Sequence, residues 1–192
     1  LYRHLEKHKY SLEKVTILIA DDHKLIRETW KYFLNNDSRF SVIGDCSNGE
    51  ECISLFKQMS PDIILMDINM EPVGGLEATE KLKAINPNIK IIGVSMYAQP
   101  TFAKKMMQVG AIGYVTKNSP IEELTTAITE AILNKHYICD EVRMIMLDDS
   151  GTDNASPINT LTKRETEIIR HIKDVFSSKQ IAEQLGLSIK TV

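Results

Sequence analysis

Residues 61–70 read PDIILMDINM. A proline and an acid precede four apolar residues, and the run then stops on a bare carboxylate, Asp67. Four consecutive apolar residues bounded by breakers suit a strand covered on both faces. Such strands occur in parallel sheets, where both faces are packed under helices. In open parallel sheets the functional groups gather at the carboxyl ends of the strands. The stretch therefore specifies both a fold and a place to look for a site.

Working outward, similar runs recur at VTILIA (15–20), FSVIG (40–44), KIIGVS (90–95) and IGYVT (112–116). They are rich in Val and Ile and lack polar alternation. Helical patterns lie between them. In LIRETWKYFL (25–34), Leu25, Ile26, Trp30, Phe33 and Leu34 share one side. The stretches 50–59, 76–85, 102–109 and 121–133 behave similarly. Five alternations of strand and helix predict an α/β domain with a five-stranded, parallel, doubly wound sheet. Ser119-Pro120-Ile121-Glu122 reads as a capping box opening the last helix. Asp140 is placed to cap a further short helix. The polar stretch 148–160, with Gly151 and Pro157, reads as a linker. Beyond it, helix, short helix, turn at Gly186 and a helix opening at Ser188 form a helix-turn-helix pattern. The expected layout is an extension at 1–13, the α/β domain at 14–135, a linker with a short helix at 136–160, and a small all-α domain at 161–192.

The totals fit this layout. The 192 residues are 43% hydrophobic and 26% charged, which is enough for one good core and a smaller second one. The three cysteines, Cys46, Cys52 and Cys139, form no CxxC pair. Reduced thiols are expected rather than a disulfide framework or a zinc site. No apolar run approaches the roughly 20 residues of a membrane span, and the first residues, LYRHLEKHKY, contain no apolar signal core. A cytoplasmic location without membrane contact is expected. The net charge of -3 is uneven: the body over 15–156 is acidic, while 1–14 and 157–192 are mildly basic. This suits a regulatory domain joined to a part that meets an anion.

The carboxyl ends carry the chemistry. Asp21 and Asp22 close the first strand, and Asp67 closes the third. If those strands are neighbours, three carboxylates converge, and like charges that close need a cation. Mg²⁺ suits hard oxygen ligands and retains several waters. Ser95 and Lys117 also end strands, and a hydroxyl and an ammonium beside such a cluster can both contact a phosphoryl oxygen. The set matches phosphoryl transfer, with Asp67 as nucleophile.

With ADD at 20–22, MDINM at 66–70, VS at 94–95 and GYVTK at 113–117, the chain resembles the receiver domain of bacterial response regulators, a flavodoxin/CheY-like fold. The order matches, with 45 residues from Asp22 to Asp67, 28 more to Ser95 and 22 more to Lys117. The tail, LTKRETEII…SSKQIAEQLGLSIKTV, resembles the LuxR-type helix-turn-helix of the NarL/FixJ group, in which DDH at 21–23 is also common. The resemblance implies that Asp67 accepts a phosphoryl group from a sensor histidine kinase. It implies that Asp22, Asp67 and the backbone carbonyl of Asn69 bind Mg²⁺ directly, with Asp21 acting through water. Ser95 and Lys117 would hold the phosphoryl oxygens, and Tyr114 would change rotamer as a switch. The product would be a phosphorylation-switched transcription regulator, a homodimer when phosphorylated, acting on promoter DNA. It would not be an enzyme with an external substrate.

The chain departs from the family pattern in three places. The loop after the acceptor reads DINMEPVGG, with Glu71 where the family has proline and Pro72 one place later, while Gly75 keeps its position. Lys24 follows DDH where proline is common. The helix expected from Ser188 has only Ile189–Val192 before the sequence stops, so this segment by itself is expected to read bases poorly. Lys179, at the start of the helix before the Gly186 turn, and Lys190 are candidate phosphate contacts, and Thr191 and Val192 follow Lys190 on the helix that opens at Ser188. Two other classes share some of these features. A phosphatase of the haloacid dehalogenase type needs a second Asp two residues after the nucleophile, and Asn69 stands there. An adaptor acting through protein contacts without phosphorylation is compatible with the altered Glu71-Pro72 loop.

Overall fold

The computed structural model describes residues 14–150. Strand β1 (Val15–Ala20) leads to helix α1 (Lys24–Asn36). β2 (Phe40–Cys46) and α2 (Gly49–Met59) follow, then β3 (Ile63–Asp67) and α3 (Gly75–Ile85). β4 (Lys90–Ser95) and α4 (Pro100–Gln108) precede β5 (Gly113–Thr116) and α5 (Ile121–Ile132). The described chain closes with β6 (Tyr137–Ile138) and α6 (Asp140–Ser150).

The sheet runs β2-β1-β3-β4-β5-β6, and its strands pair in parallel. The five expected strands are present. The two-residue β6 extends the edge beyond them, pairing Gly113 with Tyr137 and Tyr114 with Ile138. Residues 63–67 are buried throughout, as a strand covered on both faces requires. Register does the positioning. Ala20 lies opposite Met66, and Asp67 opposite Val94. The acids that follow β1 and end β3 therefore emerge side by side.

Local chemistry starts and stops the helices. Asn48 caps α2 by accepting from the Glu51 amide at 3.0 Å, and Glu51 reaches back to the Ser47 amide, a reciprocal cap of the capping-box kind. Ser60 ends α2 in the left-handed region. α3 starts where Gly75 donates to the Ile68 carbonyl at 2.9 Å. A Cβ at Gly75 would stand 2.0 Å from the Asp67 carbonyl oxygen, so only glycine permits this approach.

Three sequence expectations change. On α1, Trp30 and Leu34 are buried, but Leu25 and Phe33 are exposed. The apolar stripe of α1 is wider than the surface it packs against. The Ser119 hydroxyl does not cap α5. It bonds Thr116 Oγ1 at 3.1 Å, and Pro120 takes the cap position without a side-chain bond. Asp140 is the first residue of α6 rather than its cap, and its amide donates to Glu123 Oε1. The expected helix-turn-helix, with Lys179, Lys190, Thr191 and Val192, lies outside the described residues.

Candidate functional site

Four strand ends build one pocket. Asp21 follows β1 and is fully buried, while Asp22 beside it is exposed. Asp67 ends β3 with 2% exposure, and Ser95 ends β4 fully buried. Lys117 follows β5, and its side chain is 2% exposed. The fold brings together the acids, hydroxyl and ammonium that the sequence singled out.

Lys117 is the centre of the pocket. Its Nζ lies 2.7 Å from Asp21 Oδ2 and 2.9 Å from Asp67 Oδ2. The bond to Asp67 has hydrogen-bond geometry. The approach to Asp21 is an ion pair only, because no hydrogen bond is directed at Asp21 Oδ2. The main chain of Lys117 is anchored as well. The Lys117 amide donates to the Ser95 carbonyl at 2.7 Å and continues the β4–β5 ladder by one residue. Burial pushes the Asp67 carboxyl above its ordinary range. The Lys117 hydrogen bond opposes that rise, and the nearby Asp21 charge adds to it.

Asp67 keeps its second oxygen near the loop, accepting from the Asn69 amide at 3.3 Å. Asn69 and Glu71 are exposed, whereas Met70 and Val73 are buried and pin the loop between them. The Glu71–Pro72 peptide is cis. Ser95 Oγ accepts from the Tyr97 amide at 3.2 Å. Tyr114 is fully buried, and its hydroxyl donates to the Tyr97 carbonyl at 2.6 Å. Burial raises the Tyr114 phenol to about 12. The Tyr97 ring stacks on Phe102 of α4 at 4.9 Å.

Sequence reading missed three contributors. His23 donates its amide to Asp21 Oδ1 at 2.8 Å, and its Nδ1 lies 2.6 Å from Asp22 Oδ1 and 3.4 Å from Lys117 Nζ. Its place directly after two acids was the available signal. Arg27 holds the Asp21 carbonyl at 2.7 Å and pairs with Asp45 at 3.0 Å, while Lys31 also meets Asp45. No motif announces that pair. Thr116, one residue before Lys117, is buried and bonds Glu141 of α6.

One oxygen or nitrogen from each of Asp21, Asp22, His23 and Asp67 falls within a 4.8 Å group. These are mostly hard oxygen donors, and Asp21 Oδ2 is buried without a hydrogen bond. Both features fit a small divalent cation of the Mg²⁺ type.

Comparison with known proteins agrees with this geometry. Residues 17–129 match the response regulator receiver domain family, and residues 159–192 match the bacterial regulatory proteins of the luxR family. Response regulator GacA of Pseudomonas aeruginosa is 33% identical over 180 residues, covering 93% of this chain and 84% of the relative. Response regulator UvrY of Escherichia coli is 32% identical, covering 93% and 83%. Among solved structures, a LuxR-family two-component response regulator from Aurantimonas superposes with a TM-score of 0.69 at 26% identity, covering 72% of this chain and 99% of that one. The receiver domain of a NarL-type regulator from Mycobacterium tuberculosis gives 0.60 at 26% identity, covering 62% and 97%.

Proposed function

Because this chain belongs to the response regulators, with a receiver domain and a luxR-family segment, we propose that phosphorylation of Asp67 by a sensor histidine kinase switches its DNA-binding output. The observation that supports this most is the buried Lys117 ammonium, 2.9 Å from Asp67 Oδ2 at the sheet edge. In the transfer, an Asp67 carboxylate oxygen bonds the phosphorus as the P–N bond of a phosphohistidine breaks and the imidazole leaves. Lys117 and Ser95 stand where they can hold phosphoryl oxygens. Rigid strand ends keep these groups in place, so positioning and charge neutralisation supply most of the effect.

Asp21, Asp22, Asp67 and the Asn69 carbonyl would hold Mg²⁺. The ion would neutralise charge shared by the carboxylates and the phosphoryl group. Tyr114 serves as the switch residue, since its hydroxyl reaches the Tyr97 carbonyl two residues past Ser95.

On this reading, residues 14–135 form the receiver, 136–160 the linker and 161–192 the DNA-binding segment. Lys179, Lys190, Thr191 and Val192 belong to its DNA-facing part. Promoter DNA and a phosphorylated homodimer follow from the paired half-sites such domains read. A cytoplasmic location follows from those partners. The protein acts as a switch rather than as an enzyme on an external substrate.

Intact mass after incubation with acetyl phosphate and Mg²⁺ tests the reading. One phosphoryl adduct that requires both Mg²⁺ and Asp67 is expected, with Asp67→Asn giving none. Folded protein that gains no adduct from acetyl phosphate or from phosphorylated kinase sinks this reading in favour of an unphosphorylated adaptor.

A further inference from the structure

α6 is attached to the receiver by specific side-chain bonds, and one of them reaches the residue next to Lys117. Glu141 Oε2 accepts from Thr116 Oγ1 at 3.0 Å. Thr116 is 2% exposed, so its hydroxyl has little access to water, and its other partner is the Ser119 hydroxyl at 3.1 Å. Around that bond the junction is closely built. The Cys139 amide donates to the Tyr114 carbonyl at 3.0 Å. Glu123 of α5 accepts from both the Asp140 amide at 2.6 Å and the Tyr137 hydroxyl at 3.2 Å. Cys139 and Val142 are fully buried. The first turn of the sequence-read linker helix is thus tied to the end of β5, the strand that carries Tyr114 and Thr116 and leads into Lys117.

We propose that Glu141 is a positioning residue for the phosphoryl pocket: through Thr116 it fixes the end of β5, and hence where the Lys117 ammonium stands. The same bond works in reverse. Any change in the Lys117 and Tyr114 positions on phosphorylation must be accommodated at Thr116, and so is felt by α6. From α6 the chain continues toward the luxR-family segment. Coupling between two sites is reciprocal, so the state of α6 also alters ligand affinity at Asp67. The proposal rests on Asp67 being the phosphoacceptor.

The experiment uses the whole chain, loaded with Mg²⁺ and beryllofluoride, and measures amide hydrogen exchange in α6 alongside beryllofluoride affinity. Intact mass with acetyl phosphate is recorded on the same preparations. In the parent protein, loading is expected to change α6 exchange. In Glu141→Ala and Thr116→Val, α6 of the unloaded protein should exchange about fivefold faster, the equivalent of one net hydrogen bond. It should no longer respond to loading, and beryllofluoride affinity should shift. Thr116→Ser, which keeps the hydroxyl, should restore the parent response. It also keeps the test readable if Thr116→Val folds poorly. Unaltered α6 exchange on loading, or variants that respond as the parent does, would overturn the proposal while the adduct is still formed. Absence of the adduct in the parent would instead identify failure of the phosphoacceptor reading.

Discussion

Replacing Lys117 with methionine probes the pocket most directly. Methionine keeps much of the buried stem and removes only the ammonium. Two carboxylates then remain, Asp21 at 0% and Asp67 at 2% side-chain exposure, with no cation between them. Removing one partner from a buried ionic contact costs about 3–5 kcal/mol. For a domain of this size, 1 kcal/mol moves the melting point by roughly 2–4 °C. A fall of roughly 6–20 °C in the receiver transition is therefore expected in chelator at about pH 8. Two further readouts test the cause. Mg²⁺ should recover part of the loss, since it supplies the missing positive charge. Acid should recover it too. The folded Asp67 carboxyl is raised by burial, and Lys117 is the largest influence holding it down. Its ionisation penalty is absent below the unfolded value and grows as pH rises through the folded one. Without Lys117 that rise is larger, so the deficit should shrink toward about pH 5. Calorimetry of both proteins at two pH values, with EDTA and with Mg²⁺, decides it. Equal melting at about pH 8 in EDTA, or a deficit indifferent to pH, would refute the view of Lys117 as the neutralising cation of a buried acid pair.

Gly75→Ala should destabilise the receiver by at least about 1–3 kcal/mol in urea unfolding, because its Cβ would stand 2.0 Å from the Asp67 carbonyl oxygen. It should also slow Asp67 phosphorylation, and parent-like behaviour in both assays would contradict the close approach. Stability should fall as pH rises from about 10 through about 12, since burial raises the Tyr114 phenol to about 12 and its neutral form is favoured by folding. Tyr114→Phe should make this alkaline limb shallower over the same range, with Tyr137, also raised to about 12, accounting for what remains. Mg²⁺ at about 100-fold over its Kd should add about 2.7 kcal/mol to receiver stability. Asp22→Asn, whose carboxylate meets only the exposed His23 imidazole among the described contacts, should diminish that gain without lowering the melting point in chelator.

The sheet was legible because its strands are covered on both faces. Ile63–Met66 had to be apolar at every position, and a continuous run is easy to read. The pocket was legible for a related reason: each candidate side chain ends or directly follows such a run, so the strands also point to Asp21, Asp67, Ser95 and Lys117. Where one face is solvated, the signal weakened. Leu25 and Phe33 share a helical stripe with Trp30 yet stay exposed, because periodicity tells which side is apolar but not how wide the contact is. β6 escaped reading because two residues after Asn134-Lys135-His136 make no run. Ser119 fits a capping motif, but Thr116, three residues before it, takes its hydroxyl in the loop after β5. Thr116 and Glu141 are 25 residues apart and only meet through the fold.

The placement of groups along β5 links the pocket to the rest of the chain. Tyr114 reaches the β4–α4 loop through its hydroxyl and the β6–α6 junction through its carbonyl. Thr116 reaches α6, and Lys117 reaches both buried acids. Successive residues of a strand are separated by about 3.3 Å and share one backbone. A displacement of Lys117 toward a new anion at Asp67 therefore cannot be absorbed by its side chain alone, because the ammonium is already bound on two sides and the amide is held by Ser95. Part of it must pass to Thr116. Packed interiors respond to such shifts by changing between discrete arrangements rather than by deforming gradually. A short strand with one end in the acid pocket and one hydroxyl on the exit helix is thus suited to convert charge at Asp67 into a change at α6. It needs no movement of the central strands β1 and β3, whose buried apolar residues hold the pocket in register.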